Sequence, residues 1–316
     1  MILTLTPNPS LDLTYGLEEL ERGEVQRADV VSVEAGGKGV NVCRSLIANG
    51  VPSRAIATVG GASGEQFLAL LEDSEVECVR VPVTGELRTN VSVVEHEGVV
   101  TKINAAGPRL SEGEVGLLLA ETAAAARGGD WLAACGSLPP GAPEDLYARV
   151  VEVARAAGCR VAVDSSGSPL ARALDAGPDL VKPNLEELCG LTGRRLGTIG
   201  DVLAAAGEVR ARGAGAVVVS LGADGAILAD GSGAAHAQTP PFTPRNTVGA
   251  GDSLLAGLLS VGGEGAAALA EGVAWGAAAA RLPGTRGPSP PDIERESVSL
   301  RKDLELKRQL KGELKR

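Results

Sequence analysis

Asn246-Thr247-Val248-Gly249-Ala250-Gly251-Asp252 runs straight into an apolar stretch, residues 253–261. A Gly-x-Gly turn feeding such a run predicts a helix that begins at the turn, with an acid at the junction. The free backbone N–H groups and the dipole at a helix start favour an anion. Gly249 and Gly251 let that backbone come close to a ligand. Asp252 then has two readings. It caps the helix, or it takes a proton from a hydroxyl while the N–H groups of Gly249, Ala250 and Gly251 hold a transferring phosphoryl group. Two commoner glycine motifs are excluded. A dinucleotide fingerprint needs glycine where Leu254 stands, and no G-x-x-x-x-G-K-[ST] occurs.

Outward from this stretch, β-like runs alternate with Ala-rich helical ones. Strands are predicted over residues 2–6, 54–59, 131–134, 160–164, 180–182 and 216–220. Helices are predicted over 39–48, 64–72, 112–127, 144–157, 186–190, 201–212, 253–261 and 265–281. This alternation argues for an α/β domain of βαβ units around a mostly parallel sheet covered on both faces. Residues 26–34, 90–95 and 99–103 instead alternate apolar and polar side chains. They predict half-exposed antiparallel strands in a small accessory sheet. His96-Glu97-Gly98 separates the last two.

The chain has 316 residues, 44% apolar but only 2% aromatic, so its core is built from Ala, Val and Leu. A formal charge of −10 argues against nucleic acid as a partner. Cys43, Cys78, Cys135, Cys159 and Cys189 are scattered, with no metal-ligand spacing, and read as buried thiols of a reducing compartment. The first residues lack a basic n-region, and no apolar run reaches a membrane span without Gly or a charge. A soluble, cytoplasmic protein with no membrane partner is expected. Residues 301–316 hold seven basic and three acidic residues, and Leu306, Leu310 and Leu314 recur every four. That spacing predicts a charged amphipathic terminal helix, either solvated and without catalytic importance or docked on a second subunit.

Lysine is scarce. Of 30 basic residues seven are lysine, and only Lys38, Lys102 and Lys182 precede the tail. Each sits in a distinctive setting. Gly36-Gly37-Lys38-Gly39 opens a helix and forms either a backbone nest for an anion or a plain strand-to-helix turn. Asp12 follows the first strand, where it serves sugar hydroxyls or an Asx-turn. In Lys182-Pro183-Asn184-Leu185-Glu186-Glu187, Asn184 and Glu187 share one helical turn. They suit Mg²⁺ through water, or they cap the helix. Ser220-Leu221-Gly222-Ala223-Asp224-Gly225 follows another strand and fits a nucleotide, or is a hairpin turn. His96 and His236 make no metal site, and Ser137 has no partner resembling a base.

Taken together, these residues resemble the ribokinase-like carbohydrate kinases, the PfkB family. The stretches 36–41 and 246–252 look like its two signatures, in the right order, and the resemblance extends to about residue 293. Thr6-Pro7-Asn8-Pro9-Ser10-Leu11-Asp12, Lys102-Ile103-Asn104, Gly136-Ser137-Leu138-Pro139 and Lys182-Pro183-Asn184 are similar to its 1-phosphofructokinase branch. Tagatose-6-phosphate kinases share nearly all of them. Asn246 stands where many family members have Asp, and the tail beyond residue 301 has no counterpart.

The resemblance implies a ribokinase-like three-layer α/β/α domain over residues 1–300. A small β-sheet lid, about 12–35 and 87–104, is implied to join two copies as a homodimer. It also implies ATP-dependent phosphorylation of a sugar phosphate, fructose 1-phosphate at its 6-hydroxyl. The alternatives are tagatose 6-phosphate, fructose 6-phosphate, or a non-catalytic sensor on the same fold. The general base is implied to be Asp252, and Gly249, Ala250 and Gly251 the anion hole. Substrate falls to Asp12, Gly37, Lys38, Asn41, Arg88, Lys102 and Asn104. ATP falls to Lys182, Asn184, Gly251 and the run Ser220, Leu221, Gly222, Ala223, Asp224 and Gly225. Asn184 and Glu187 are implied to organise Mg²⁺ indirectly.

Overall fold

The computed structural model describes residues 1–96, 99–126, 131–282, 284 and 286–311. In chain order the elements begin with β1 (Ile2–Thr6), β2 (Ser10–Leu17), β3 (Val30–Gly36), α1 (Lys38–Ala48), β4 (Ser53–Val59), α2 (Gly61–Glu72) and β5 (Cys78–Pro82). Next come β6 (Arg88–Glu95), β7 (Val100–Ile103), α3 (Glu112–Ala126), β8 (Trp131–Cys135), α4 (Leu146–Ala156), β9 (Arg160–Asp164) and α5 (Gly167–Ala173). The chain continues with β10 (Leu180–Val181), α6 (Leu185–Thr192), α7 (Ile199–Ala211), β11 (Ala216–Ser220), β12 (Ala226–Asp230) and β13 (Gly233–Gln238). It closes with α8 (Ala250–Ser260), α9 (Gly265–Arg281) and β14 (Ser299–Arg301).

The larger sheet has the order β14-β13-β12-β11-β10-β9-β8-β1-β4-β5. It is parallel from β5 to β11, and β12, β13 and β14 add antiparallel strands at one edge. Side chains alternate between its faces, as a two-residue strand period requires. Leu3, Leu5, Val161, Val163, Val217 and Val219 pack under α3 to α7. Ile2, Ala133, Ala162 and Val218 pack under α1, α8 and α9. The result is three layers, an α/β fold with a mostly parallel sheet. With few aromatic rings, small side chains do the filling. Each fully buried Leu or Val contributes about 1.5–3 kcal/mol of transfer free energy.

A second sheet, β3-β2-β6-β7, stands at the carboxyl end of β1. Its strands β3, β6 and β7 come from the three alternating stretches. The first lies at Val30–Gly36, slightly later than expected. β2, an inner strand of this sheet, was not among the predicted strands, although most of it falls within the 12–35 stretch assigned to the lid. Leu11 and Ala35 root this sheet in a cluster with α2.

Three expectations fail. The described tail, residues 301–311, is extended rather than helical. Beyond two local turns, its backbone bonds to another segment: Gly200 N–H donates to Leu306 O (2.9 Å) and Leu310 N–H to Gly197 O (2.9 Å). It is also not simply solvated, because Leu304 and Leu310 pack against the main core. The five cysteines form no disulfide, and only Cys43, Cys135 and Cys159 are buried; Cys78 and Cys189 are half-buried. Residue 127 of the expected third helix, Glu97-Gly98 and residues 312–316, with Leu314, lie outside the described residues.

Candidate active site

The chain passes from β1 to β4 on one side of the sheet and from β1 towards β8 and β9 on the other. Ligands of open α/β sheets bind where the order reverses, beyond the carboxyl ends of the strands. Asp12, Asp164, Lys182 and Ser220 all lie at or just past such ends.

α8 starts here. Asn246 braces the turn before it: its Nδ2 donates to Gly284 O (2.5 Å) and its Oδ1 accepts from Val248 N–H (3.0 Å). Gly249, at the helix N-cap, has φ 79°, a left-handed conformation that glycine adopts without strain. Ala250 N–H reaches only a distant acceptor, Thr247 O at 3.4 Å. Among the described residues the N–H groups of Gly251 and Asp252 have no acceptor. These are the orphan donors of a helix start, and they make an electropositive pocket for an anion.

Asp252 itself is buried, 6% exposed. Its Oδ2 accepts from Asn41 Nδ2 at 2.8 Å, and Asn41 Oδ1 in turn accepts from Arg44 Nη2 at 2.7 Å. Asp252 is therefore no helix cap: no side-chain capping bond forms, and Gly249 holds that position. Burial pushes its carboxyl up to about 6, and nearby Asp164 adds to the rise. Lys38, the Asn41 hydrogen bond and Lys182 oppose it. A carboxylate poised there is charged at neutral pH yet basic enough to accept a proton.

Asp164, fully buried at the end of β9, anchors both lysines. Lys38 Nζ donates to its Oδ1 (2.9 Å), and Lys182 Nζ lies 3.0 Å from Oδ2, off the hydrogen-bond direction. Burial opposes the charge on Asp164, but Lys182 and Lys38 prevail and hold it below the ordinary carboxylate range. Lys38 is raised in return, mainly by Asp164. A Cβ on Gly251 would stand 3.3 Å from Lys182 Nζ, so that ammonium lies against the start of α8.

The second sheet presents another group. Asp12 Oδ1 accepts from Ser10 Oγ (2.7 Å) and Asn90 Nδ2 (2.9 Å). A Cβ on Gly36 would fall 2.3 Å from the Asp12 carboxylate, so a larger residue there would displace that group. Arg88 donates to Asn8 O (2.9 Å) and Ala105 O (3.2 Å). Lys102 and Asn104 are exposed, with no hydrogen bond or ion pair among the described residues. Burial lowers both Arg88 and Lys102 while Asp12 raises them, so the three interact electrostatically. Arg44 links the two halves. Burial lowers it, and Glu34, Asp12 and Asp252 support its charge.

Gly37 is the N-cap of α1, packed on Thr6. Lys38 does not join Arg88 and Lys102. Its ammonium faces Asp164 and stands 3.7 Å from Glu187 Oε1. Asn184 and Glu187 form a reciprocal capping box: Asn184 Oδ1 accepts from Glu187 N–H and Glu187 Oε2 from Asn184 N–H, both at 2.8 Å. Capping thus occupies Asn184 Oδ1 and one Glu187 oxygen, and Oε1 faces Lys38. Among the described residues no group of three or more His, Cys, Asp and Glu side chains is arranged to hold a metal.

The run Ser220 to Gly225 joins β11 to the antiparallel β12, with a one-turn 3-10 helix at Gly222–Asp224. Ser220 bridges to Asn184. Gly222 and Ala223 are exposed, and Leu221 is buried. Asp224 is fully buried and turned away from solvent, its carboxylate bonded to the tail. It therefore cannot face a ligand on the outer side of this turn.

Asp164, Arg44 and Arg308 were not foreseen from sequence. Asp164 carried a signal, since an acid ending a predicted strand lies where ligand sites lie. Arg44 is three residues after Asn41, one helical turn on. Arg308 carried none.

Among the described residues no helix is long and apolar enough to cross a membrane. Residues 6–292 match the pfkB family carbohydrate kinases. The 1-phosphofructokinase of Rhodobacter capsulatus is 39% identical over 266 residues, 82% of this chain and 82% of that protein. The ATP-dependent 6-phosphofructokinase isozyme 2 of Mycobacterium tuberculosis is 35% identical over 299 residues, 93% of this chain and 88% of its own. The crystal structure of phosphofructokinase-2 from Escherichia coli in complex with potassium superposes with a TM-score of 0.87 at 36% identity, covering 92% of this chain and 96% of that one.

Proposed function

The chain belongs to the pfkB family of carbohydrate kinases and is a fructose-phosphate kinase within it, and we propose that it uses ATP to phosphorylate the 6-hydroxyl of fructose 1-phosphate. The observation that carries this reading is Asp252: a buried carboxylate, held by Asn41, one residue past the unpaired N–H of Gly251.

The chemistry follows from that placement. Asp252 takes the proton of the 6-hydroxyl as its oxygen attacks the γ-phosphorus of ATP. The bond from that phosphorus to the ADP oxygen breaks, and ADP leaves. The N–H groups of Ala250, Gly251 and Asp252 hold the transferring oxygens, and Lys182 adds positive charge beside Gly251. Lys38, the Asn41 hydrogen bond and Lys182 favour the charged form of Asp252 against burial and Asp164, which push its carboxyl up. Asp12, Asn41, Asn104 and Gly37 serve the sugar hydroxyls. Arg88 and Lys102 hold the 1-phosphate, where charge-assisted bonds are strong. Lys38, on Asp164 and near Glu187, belongs with the transferring phosphate rather than with the 1-phosphate.

The turn at Ser220, Leu221, Gly222, Ala223 and Gly225, with Asn184, takes the nucleotide. Asp224 serves that turn from within. The oxygen donors Glu187 and Asn184, already partly used in capping, fit an Mg²⁺ held through water and phosphate oxygens rather than a protein cage. Bound there, it would neutralise charge on the transferring phosphates. The second sheet acts as a lid over the sugar. Its half-exposed outer residues Val31 and Ile103 support a homodimer through it.

The likeness to 1-phosphofructokinase favours this acceptor. The likeness to a 6-phosphofructokinase favours a second reading: transfer to the 1-hydroxyl of fructose 6-phosphate or tagatose 6-phosphate. That reading turns the sugar end for end and keeps Asp252. Phosphorus NMR of the product distinguishes them. A new ester at C6 of fructose 1-phosphate supports the proposal. An unchanged fructose 1-phosphate spectrum under conditions that convert fructose 6-phosphate overturns it.

A further inference from the structure

We infer that residues 302–311, beyond the family match at 6–292, tune nucleotide affinity by locking the turn from Ser220 to Gly225, with Arg308 as the positioning residue. The inference rests on the reading of that turn as nucleotide-binding.

Asp224 sits in the middle of the turn and is fully buried, yet its partners come from the other end of the chain. Arg308 Nη2 donates to its Oδ1 at 2.6 Å, and Lys311 N–H to its Oδ2 at 2.5 Å. The main-chain oxygen of Asp224 bonds His236 Nε2 at 2.7 Å. Arg308 also donates to Gln238 Oε1 (2.8 Å), at the end of the strand paired with β12. One guanidinium thus ties the turn to the hairpin behind it.

The tail is itself anchored. Ile199 N–H donates to Arg308 O (3.0 Å) and Gly200 N–H to Leu306 O (2.9 Å), so donors at the start of α7 hold it. A Cβ on Gly200 would lie 2.9 Å from Leu306 O, which marks how closely the two segments approach. A buried carboxylate cannot be left without partners at low cost. If the tail shifts, Asp224 loses both partners of its carboxylate, and nothing from the tail then holds the turn in place. Gly222 and Ala223, exposed on the opposite side of that turn, would move with it.

The test compares Michaelis constants for Mg-ATP and for the fructose phosphate in the full chain, Arg308→Gln, the double variant Asp224→Asn/Arg308→Gln, and Ala223→Glu. Melting temperatures report folding. Arg308→Gln is expected to raise KM for ATP about 10-fold, because small misplacements of a binding group are costly. The fructose-phosphate KM is expected to stay within about 2-fold, since no group of that site moves. The double variant, which removes the buried charge as well, is expected to recover most of the ATP affinity. Ala223→Glu puts a negative charge on the exposed side and is expected to weaken ATP alone. An unchanged ATP KM in folded Arg308→Gln, with Ala223→Glu impaired, would leave the turn's role standing and overturn the tail's. Equal losses for both substrates would also overturn it. An unaffected Ala223→Glu would remove the turn from the nucleotide site, and the inference with it.

Discussion

Asn41 Nδ2 donates to Asp252 Oδ2 across 2.8 Å, inside the protein and between residues 211 positions apart. The bond joins the two glycine-rich stretches, one opening α1 and the other α8, into a single site. It also favours the charged carboxylate. Arg44 fixes which end of the Asn41 amide faces Asp252, because its guanidinium can only donate and so claims the amide oxygen.

Asp252→Asn removes the proton acceptor but keeps shape and size. Turnover is expected to fall by about 10²–10⁴, the range for a general base, while both ligands still bind. Single-turnover rates with equilibrium titrations check it; near-normal turnover would exclude Asp252 as the base.

The pH dependence has a definite sign. Asp252 must be deprotonated to act, and its carboxyl lies at about 6 in the free protein. kcat/KM is expected to climb as pH rises through about 6 and then level. Lys38 lowers that value, so Lys38→Met is expected to move the limb to higher pH. Arg44→Gln is expected to move it the same way by freeing the Asn41 amide to flip. A limb that does not move in either variant would separate these cations from Asp252.

Much of the main sheet was legible. β1, β9, β11 and α9 have the expected bounds because their apolar runs are bounded by charged or turn residues. β2 was not seen, although Leu11, Leu13, Tyr15 and Leu17 alternate; the Asn-Pro-Ser before them reads as a loop. β12 and β13 are rich in Ala and Gly, whose strand signal is weak. The tail's leucine spacing suits a helix, but free donors at Gly200 and the buried Asp224 offered better partners. Lys38 and Asp252 were marked by local sequence, and Asn41 by the family resemblance. That Lys38 meets Asp164 was not, because a contact spanning 126 residues leaves no local trace.

Arg88→Ala and Lys102→Ala are expected to raise KM for the sugar phosphate by about 10–100-fold, the worth of a charge-assisted bond, with little change for ATP. Lys38→Ala is expected to act on kcat instead, given its place on Asp164. Initial-rate matrices in both substrates read this. A Lys38 effect confined to sugar-phosphate KM would return it to the 1-phosphate site.

Leu255 is a fully buried residue of α8, the helix that carries the base. Leu255→Ala is expected to cost about 2–5 kcal/mol of stability by leaving a cavity. Urea unfolding followed by circular dichroism measures it, and a loss well below that range would mean the core closes up around the site.

The most direct test of the account is ADP release with Mg-ATP, giving kcat/KM side by side for fructose 1-phosphate, fructose 6-phosphate, tagatose 6-phosphate and fructose. The account predicts a clear preference for fructose 1-phosphate, lost in Asp252→Asn. Preference for a 6-phosphate would contradict the assigned acceptor, and silence on all four acceptors would contradict the reading of the protein as a fructose-phosphate kinase.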